Sequence, residues 1–316
     1  MRQQTTGIHH VTAFVRDAQA TVDFYSGVLG LRLVKKTINF DAPEVYHLYF
    51  GNEGGSPGTI ITFFPWPTSR QGRIGAGQVG ITTYVIPVGT MDFWQERLEK
   101  LNVSATVATR FGETFLQASD PDGLRLEIVE REEGSLSRWS FGGVPADKAI
   151  KGFGGAVLFS SAPAKTAEVL ERVMGLEPIA NDGEFARFKA SGDLGNVIDV
   201  NVEAMEPGIG GAGTVHHIAW RAKDDEDHAR WRSLVEENQL HPTPIIDRQY
   251  FNAIYFREEG GILFEIATDP PGFARDEPAD SIGERLMLPE WFEEHREQIE
   301  GLLPPIQVRV LEADRG

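Results

Sequence analysis

The stretch Gly213-Thr-Val-His-His-Ile-Ala-Trp220 sets two adjacent histidines in a run of apolar, β-branched and aromatic residues, the composition of a buried strand. Near the start of the chain the phrase returns as Thr6-Gly-Ile-His-His-Val-Thr-Ala-Phe14. In each copy the second histidine precedes an aspartate by seven residues, His10 before Asp17 and His217 before Asp224. Histidine is scarce, with eight in 316 residues, so two His-His strands in matching register call for a common cause. Period two sends neighbouring strand residues to opposite faces, so one histidine of each pair can reach a given position, and the spacing says only that it is the same member in both.

Working outward from these strands, a repeat emerges. After Ile8–Val15 comes Asp17 as a helix N-cap, then a helix with Val22, Tyr25, Val28 and Leu29 on one face, ended by Gly30. Strand patterns follow at 31–38, 45–50 and 59–64, giving the order β-α-β-β-β. The order recurs from 78, from 155 and from 215, with helices near 91–101, 165–174 and 227–238. The last strands align on a turn glycine: Gly58-Thr-Ile-Ile-Thr62, Gly123-Leu-Arg-Leu-Glu127, Gly195-Asn-Val-Ile-Asp199 and Gly261-Ile-Leu-Phe-Glu265. The expected fold class is α+β, four β-α-β-β-β modules paired into two cup-shaped sheets. The expected organisation is an N-terminal half over 1–131, a linker rich in Gly, Ser, Pro and charge over 132–151, a C-terminal half over 152–269, and a tail over 270–316 with a helix near 290–303.

In such cups the first and last strands of each unit line the floor. If units pair one with two and three with four, each cup holds one ligand-type histidine. If one pairs with four, a single cup collects His10, His217 and Glu265, with Thr62 at the fourth corner, while Glu127 and Asp199 share a cup without histidine. Patterning leaves both pairings open; ligand chemistry favours one with four, because two imidazoles and a carboxylate form the facial triad of non-haem Fe(II) sites. Burying Glu265 unpaired would be costly, which also favours ligation. Glu127 is expected to be structural, paired with an arginine. His47, His228, His241 and His295 are expected to lie outside the chemistry.

Composition narrows the partners. The net charge of −17 argues against nucleic acid, which needs a basic face, and against anionic membranes. With no cysteine, disulfides, thiolate nucleophiles and sulfur-ligated metals are excluded, and any metal must sit on His, Asp or Glu. No apolar run approaches membrane-spanning length and no signal peptide is recognisable, so a cytoplasmic protein is the expectation, with homo-oligomerisation open.

Beyond the repeat, Gly7-Ile-His-His-Val-Thr12, Tyr46-His-Leu-Tyr-Phe50, Gly58-Thr-Ile-Ile-Thr-Phe-Phe-Pro65, Val215-His-His217, Asp247-Arg248 with Tyr255-Phe-Arg257, and Leu263-Phe-Glu265 are motifs in register. They resemble the vicinal oxygen chelate superfamily (glyoxalase, bleomycin resistance and extradiol dioxygenase). Within it, nearly the whole chain, including the tail over 286–305, is similar to the ring-cleaving hydroquinone dioxygenases. The resemblance implies a metal held by His10, His217 and Glu265, units one and four forming the metal cup, and Thr12, His216, Arg248 and Tyr255 around the substrate with His9 nearby. It implies Fe(II), with Mn(II) tolerated by the same ligands, and as partners O2 and a small aromatic substrate of hydroquinone or catechol type. His216 and Tyr255 are then the candidate acid and base, and Arg248 the stabiliser of negative charge. Relatives often read Phe-His-Gly where this chain has Phe153-Gly154-Gly155; that position belongs to the metal-free cup, so activity should survive the change. Two other readings remain on the same fold: a glyoxalase-like metal-dependent isomerase or lyase, and a small-molecule-binding resistance protein without a metal triad.

Overall fold

The computed structural model describes residues 3–315. Its backbone is two curled, eight-stranded sheets. Unit one supplies β1 (Ile8–Val15), β2 (Arg32–Asn39), β3 (Ala42–Gly51) and β4 (Ile60–Pro65). Unit two supplies β5 (Gln78–Ile86), β6 (Thr106–Arg110), β7 (Glu113–Ser119) and β8 (Arg125–Glu130). Unit three supplies β9 (Gly152–Phe159), β10 (Glu177–Asn181), β11 (Phe185–Lys189) and β12 (Val197–Asn201). Unit four supplies β13 (Thr214–Ala222), β14 (Ile246–Asp247), β15 (Phe251–Arg257) and β16 (Leu263–Pro271). One sheet runs β14-β15-β16-β13-β1-β4-β3-β2 and the other β10-β11-β12-β9-β5-β8-β7-β6. The first sheet therefore joins units one and four across the antiparallel β1–β13 pair, and the second joins units two and three across β5–β9.

Alternation explains how each sheet is covered. In the first, Val11, Ala13, Leu48, Phe50, Ile61, Phe63, Ile218, Trp220, Phe264 and Ile266 share a buried apolar cluster with the helices. The helix of unit four, α4 (Asp225–Glu237), contributes Trp231 and Val235 to it; that of unit two, α2 (Met91–Lys100), contributes Trp94 and Leu98. The aspartates at matched spacing both cap helices: Asp17 Oδ1 accepts from Ala20 N and Asp224 Oδ1 from Asp227 N, each at 2.8 Å. The unit-one helix departs from the regular α-helix expected. Its α-helical turn, α1 (Ala18–Val22), continues as a wider π-helix over Asp23–Val28, and unit three repeats this with α3 (Pro163–Glu168) followed by Val169–Val173. The wider turn buries Phe24 beside the expected Val22, Tyr25, Val28 and Leu29. Gly30 then ends the segment at φ +69°, a conformation that L side chains rarely adopt.

The tail, containing α5 (Arg296–Leu302), begins as a 3₁₀ turn at Glu290–His295 rather than as one continuous helix. It braces unit one: Tyr46 Oη donates to Pro304 O at 2.9 Å, and Arg309 pairs with Asp23 at 2.6 Å. Further back, Lys35 is fully buried between Asp276 (2.6 Å) and Glu277 (2.5 Å). Among the described residues, no helix is long and apolar enough to cross a membrane.

Candidate metal centre

His10 enters from β1, His217 from β13 and Glu265 from β16, the three strands at the middle of the first sheet. All three side chains are buried, at 2 %, 5 % and 0 % exposure, so their polar atoms must find partners within the protein. His10 Nε2 lies 3.3 Å from His217 Nε2 and 3.3 Å from Glu265 Oε2, and His217 Nε2 lies 2.8 Å from the same oxygen. Three donors each ~2.1 Å from one ion and at right angles to one another would stand ~3 Å apart. Close as these approaches are, neither imidazole is aligned as a conventional hydrogen-bond donor to the Glu265 carboxylate. A buried carboxylate without a donor is expensive, and a cation between the three atoms is the partner that the donor set fits. Among the described residues this is the sole grouping of His, Asp and Glu with metal-binding separations. Burial alone would raise the Glu265 carboxyl, but the adjoining His10 and His217 outweigh it and hold it well below its ordinary value.

The second histidine of each pair is thus the one turned to the carboxylate. The first does not point away, as plain alternation requires. The β1–β13 ladder shifts register between Ile8 and His10 and again between Thr12 and Ala13, where the partners are His217 and Val215. The extra residue is His9 on one strand and His216 on the other. Each bulge re-aims its histidine toward the neighbouring ligand. His9 Nδ1 meets His10 Nδ1 at 2.9 Å, and His216 Nδ1 meets His217 Nδ1 at 2.8 Å. Each ring nitrogen that faces away from the carboxylate is therefore held by an adjacent imidazole, the outer-shell support that orients metal-binding histidines elsewhere. Burial first, and the neighbouring His10 second, keep His9 well below its ordinary pKa and so neutral. His216 is likewise pushed down, by burial and then by His217.

A cavity of about 440 Å³ opens over His10 and His217. Larger hollows exist beside Gln117 and Asp120 (about 570 Å³) and beneath the tail (about 940 Å³), yet neither contains the buried triad. Phe14, Phe40, Phe64, Trp66 and Phe251 give the cavity apolar walls, and His47, Tyr49, His216, Arg248 and Tyr255 give it polar ones. Tyr255 faces Glu265 across the β15–β16 pair, and Arg248 Nε donates to Tyr255 Oη at 3.2 Å. Arg248 also reaches Asp41 at 3.1 Å, tying the β2–β3 turn to the opposite rim. Burial raises the Tyr255 phenol far above its ordinary value, with Glu265 adding to the shift against Arg248.

Of the residues singled out on sequence, His10, His216, His217, Arg248 and Tyr255 line this cavity, and Glu265 lies beside its two histidines. Thr12 and His9 are placed differently. They are buried behind the wall, Thr12 with its hydroxyl 2.8 Å from Thr62 Oγ1 and His9 behind His10. His47, set aside on sequence, is a wall residue, bonded to Thr62 and Tyr49. Its only signal was the quoted Tyr46–Phe50 motif. Glu127 does meet an arginine: Arg110 Nη2 approaches it at 2.8 Å.

Comparison with known proteins agrees with this architecture. The family model described as the Glyoxalase/Bleomycin resistance protein/Dioxygenase superfamily matches residues 7–128 and 152–266. The chain is 60 % identical over 312 residues to MhqO of Bacillus subtilis (strain 168), named as a candidate ring-cleaving dioxygenase, covering 99 % of this chain and 100 % of that one. It is 37 % identical over 298 residues to the chlorohydroquinone/hydroquinone 1,2-dioxygenase of Sphingobium indicum, covering 90 % and 92 %. A crystal structure of a candidate dioxygenase from Bacillus subtilis superposes with a TM-score of 0.97 at 60 % identity, covering 98 % of this chain and all of that one.

Proposed function

This chain belongs to the Glyoxalase/Bleomycin resistance protein/Dioxygenase superfamily, and on that premise we propose that it is a metal-dependent ring-cleaving dioxygenase of extradiol type, acting on a hydroquinone- or catechol-type ring. The observation that carries the reading is the orphaned Glu265 carboxylate facing two buried imidazoles. His10, His217 and Glu265 would hold Fe(II), with Mn(II) fitting the same donors. When bound there, Fe(II) supplies the redox link through which an electron-rich phenolic ring reacts with O2.

The remaining steps fall to the chain's own groups. If Nε2 of His217 is kept for the metal, Nδ1 carries the proton and donates it to His216 Nδ1 at 2.8 Å. Neutral His216 then keeps its own proton on Nε2. In that tautomer it is a hydrogen-bond donor toward substrate or O2 and has no free lone pair with which to act as base. Tyr255, its phenol kept protonated by burial, is a second donor beside the metal position. Arg248 holds the Tyr255 hydroxyl and puts a fixed positive charge where negative charge develops. The aromatic walls of Phe14, Phe64 and Phe251 would exclude water and give a flat ring apolar surface to pack on. A cation held by His10, His217 and Glu265 would favour the phenolate form of a ring hydroxyl beside it.

The test is O2 uptake by anaerobically purified, Fe(II)-reconstituted protein with a panel of hydroquinones and catechols. Uptake near one O2 per ring, with a ring-opened product, is the expected outcome. Bound metal without O2 uptake would replace this reading with the isomerase, and absence of bound metal would replace it with a small-molecule-binding protein.

A further inference from the structure

The turn between β2 and β3 brings a carboxylate to the cavity, whose lining includes Asn39, Phe40 and Asp41. Two contacts hold this turn: Asn39 Oδ1 accepts from Asp41 N at 2.9 Å, and Phe40 packs on Trp291 at a centroid distance of 5.9 Å. Asp41 Oδ2 in turn accepts from Arg248 Nη1 at 3.1 Å. Among the described residues that line the cavity, Asp41 is the only carboxylate and Arg248 the only guanidinium or ammonium group.

The guanidinium is thus engaged at two nitrogens, with Nε donating to Tyr255 Oη at 3.2 Å and Nη1 to Asp41. A carboxylate grips an arginine best through two parallel hydrogen bonds, from Nη1 and Nη2 or from Nε and Nη2. Each of those pairs already has one nitrogen taken. An acid group on a bound ring must therefore displace Tyr255 or Asp41, and it meets the charge of Asp41 as it does so. Elsewhere it faces apolar wall, from Phe14, Phe64, Trp66, Phe251 and Leu263. The charges also balance without an acid on the ring. A divalent ion beside the Glu265 carboxylate keeps one positive charge, and a phenolate cancels it. Asp41 cancels Arg248. A ring carboxylate adds a negative charge with no counterpart in the cavity lining, and an unpaired charge is costly where water is excluded.

We propose that Asp41 is a specificity-determining residue: by occupying Arg248 it turns the cavity against rings that carry an acid group and leaves it open to neutral ones. This rests on the reading of the cavity as the site of a phenolic ring. The Asp41 side chain is 76 % exposed, so water and salt screen it, and the discrimination it adds is about threefold to fivefold, the upper part of the range for an exposed ion pair.

The test is anaerobic calorimetry on Fe(II)-loaded protein with (3,4-dihydroxyphenyl)acetate and its methyl ester, and with the same pair built on the 2,5-dihydroxyphenyl ring. Acid and ester share ring and hydroxyls and differ in charge far more than in bulk, so their affinity ratio reads the charge. Wild type should prefer the ester. Asp41→Asn should raise affinity for the acid about threefold to fivefold at low ionic strength and leave the ester within about twofold, while Asp41→Glu, which keeps the charge, should match wild type. In about 1 M salt, where the screening length falls to about 3 Å, the gain should shrink to within about twofold. Equal affinities for acid and ester in wild type overturn the proposal. So does an Asp41→Asn gain that the ester shares or that persists in high salt, since those are the marks of altered shape. Ester binding with a ratio untouched by Asp41→Asn overturns this proposal alone, whereas failure of metal-loaded wild type to bind either ligand overturns it together with the phenolic-ring reading.

Discussion

At the four corners of one sheet stand His10, Thr62, His217 and Glu265; at the matching corners of the other stand Ile81, Glu127, Gly155 and Asp199. The backbones beneath them agree even in their irregularities. The β5–β9 ladder shifts register between Val79 and Ile81 and again opposite Gly154, as β1–β13 does at His9 and His216. Where the first sheet uses its bulges to aim two histidines, the second fills them with Gly80 and Gly154. As the chain is packed, a Cβ on Gly80 would lie 2.3 Å from the Phe159 ring and one on Gly154 2.9 Å from Val85 Cγ2, so a side chain at either bulge requires its neighbour to shift. At Gly155, the counterpart of His217, a Cβ would stand 1.6 Å from Val197 O. The second sheet therefore cannot be made into a metal cup by substituting histidines. Its carboxylates are neutralised by arginines, Arg187 from β11 beside β12 and Arg110 from the edge strand β6. Arg110 Nη2 binds Glu127 at 2.8 Å, and its Nε binds Asp199 at 2.5 Å. Arg187 holds Asp199 and Glu113, and Arg131 holds Glu113 at 2.7 Å. One scaffold thus buries carboxylates in two ways: against arginines, which lock a sheet, or against two imidazoles in a grouping that could hold a metal ion.

The strongest way to break this comparison is to remove a member of the triad. His217→Ala should bring bound metal from one per chain to near zero and turnover below detection, because two remaining donors do not make a facial site. Metal analysis and O2 uptake on the same sample decide it. An active, metal-replete variant would mean that the ligands are elsewhere.

Next in size is the counterpart change in the other sheet. Arg110→Met takes from Glu127 its ion-pair partner and from Asp199 one of two, in a buried setting where breaking a pair costs about 3–5 kcal/mol of stability. Arg187 still covers Asp199, and Gln117 still donates to Glu127 at 2.8 Å, so the loss should fall toward the lower end. Denaturant unfolding measures it, and metal per chain should not change. If metal were lost as well, the two sheets would be coupled and the division of labour would be wrong.

The repeat was legible because its punctuation is local. Turn glycines at 58, 123, 195 and 261 and capping aspartates at 17 and 224 announce the same elements in each unit, and those elements form. Ligand chemistry favoured bringing units one and four together, while the choice of His10 and His217 over His9 and His216 came from the family resemblance alone. The bulges were not, since an inserted residue is defined by the partner strand, and alternation along one strand cannot show it. That is why His9 and His216 stand beside the ligand histidines instead of behind the sheet. His47, Arg110 and Arg187 escaped for a related reason. They reach their corners from outer strands, β3, β6 and β11, whose register is set by turns. The π-helical segments were hidden because Val22, Tyr25, Val28 and Leu29 have the spacing of a regular α-helix face and are buried here as such a face would be.

The smallest expected effect concerns the turns that launch the last strands, and it asks which sheet carries an acid-side pH dependence. Both sheets bury a carboxylate there. Glu258 accepts from Gly260 N and Ile262 N before β16, and Asp120 accepts from Asp122 N and Leu124 N before β8. Asp120 is 6 % exposed, and burial, with Asp122 nearby, outweighs those donors and raises its pKa from 3.8 to about 6. A carboxyl raised on folding means that the folded chain binds the proton more tightly than the unfolded one. Stability from this residue therefore falls as pH rises through the window from about 4 to about 6, and the full cost is present above it. Such a rise corresponds to roughly 3 kcal/mol at neutral pH. Asp120→Asn keeps the acceptor oxygen for both backbone N–H groups and turns an amide N–H toward Tyr25 Oη, which donates to Asp120 in the native turn. Weaker hydrogen bonds to a neutral acceptor offset part of the relief, so the variant should be more stable than wild type by about 1–2 kcal/mol above pH 6. The advantage should vanish below pH 4, where Asp120 is protonated in both states. Urea unfolding of both proteins from pH 4 to pH 8 measures the difference. A stability difference that does not vary with pH would show that Asp120 is not the group titrating in that window.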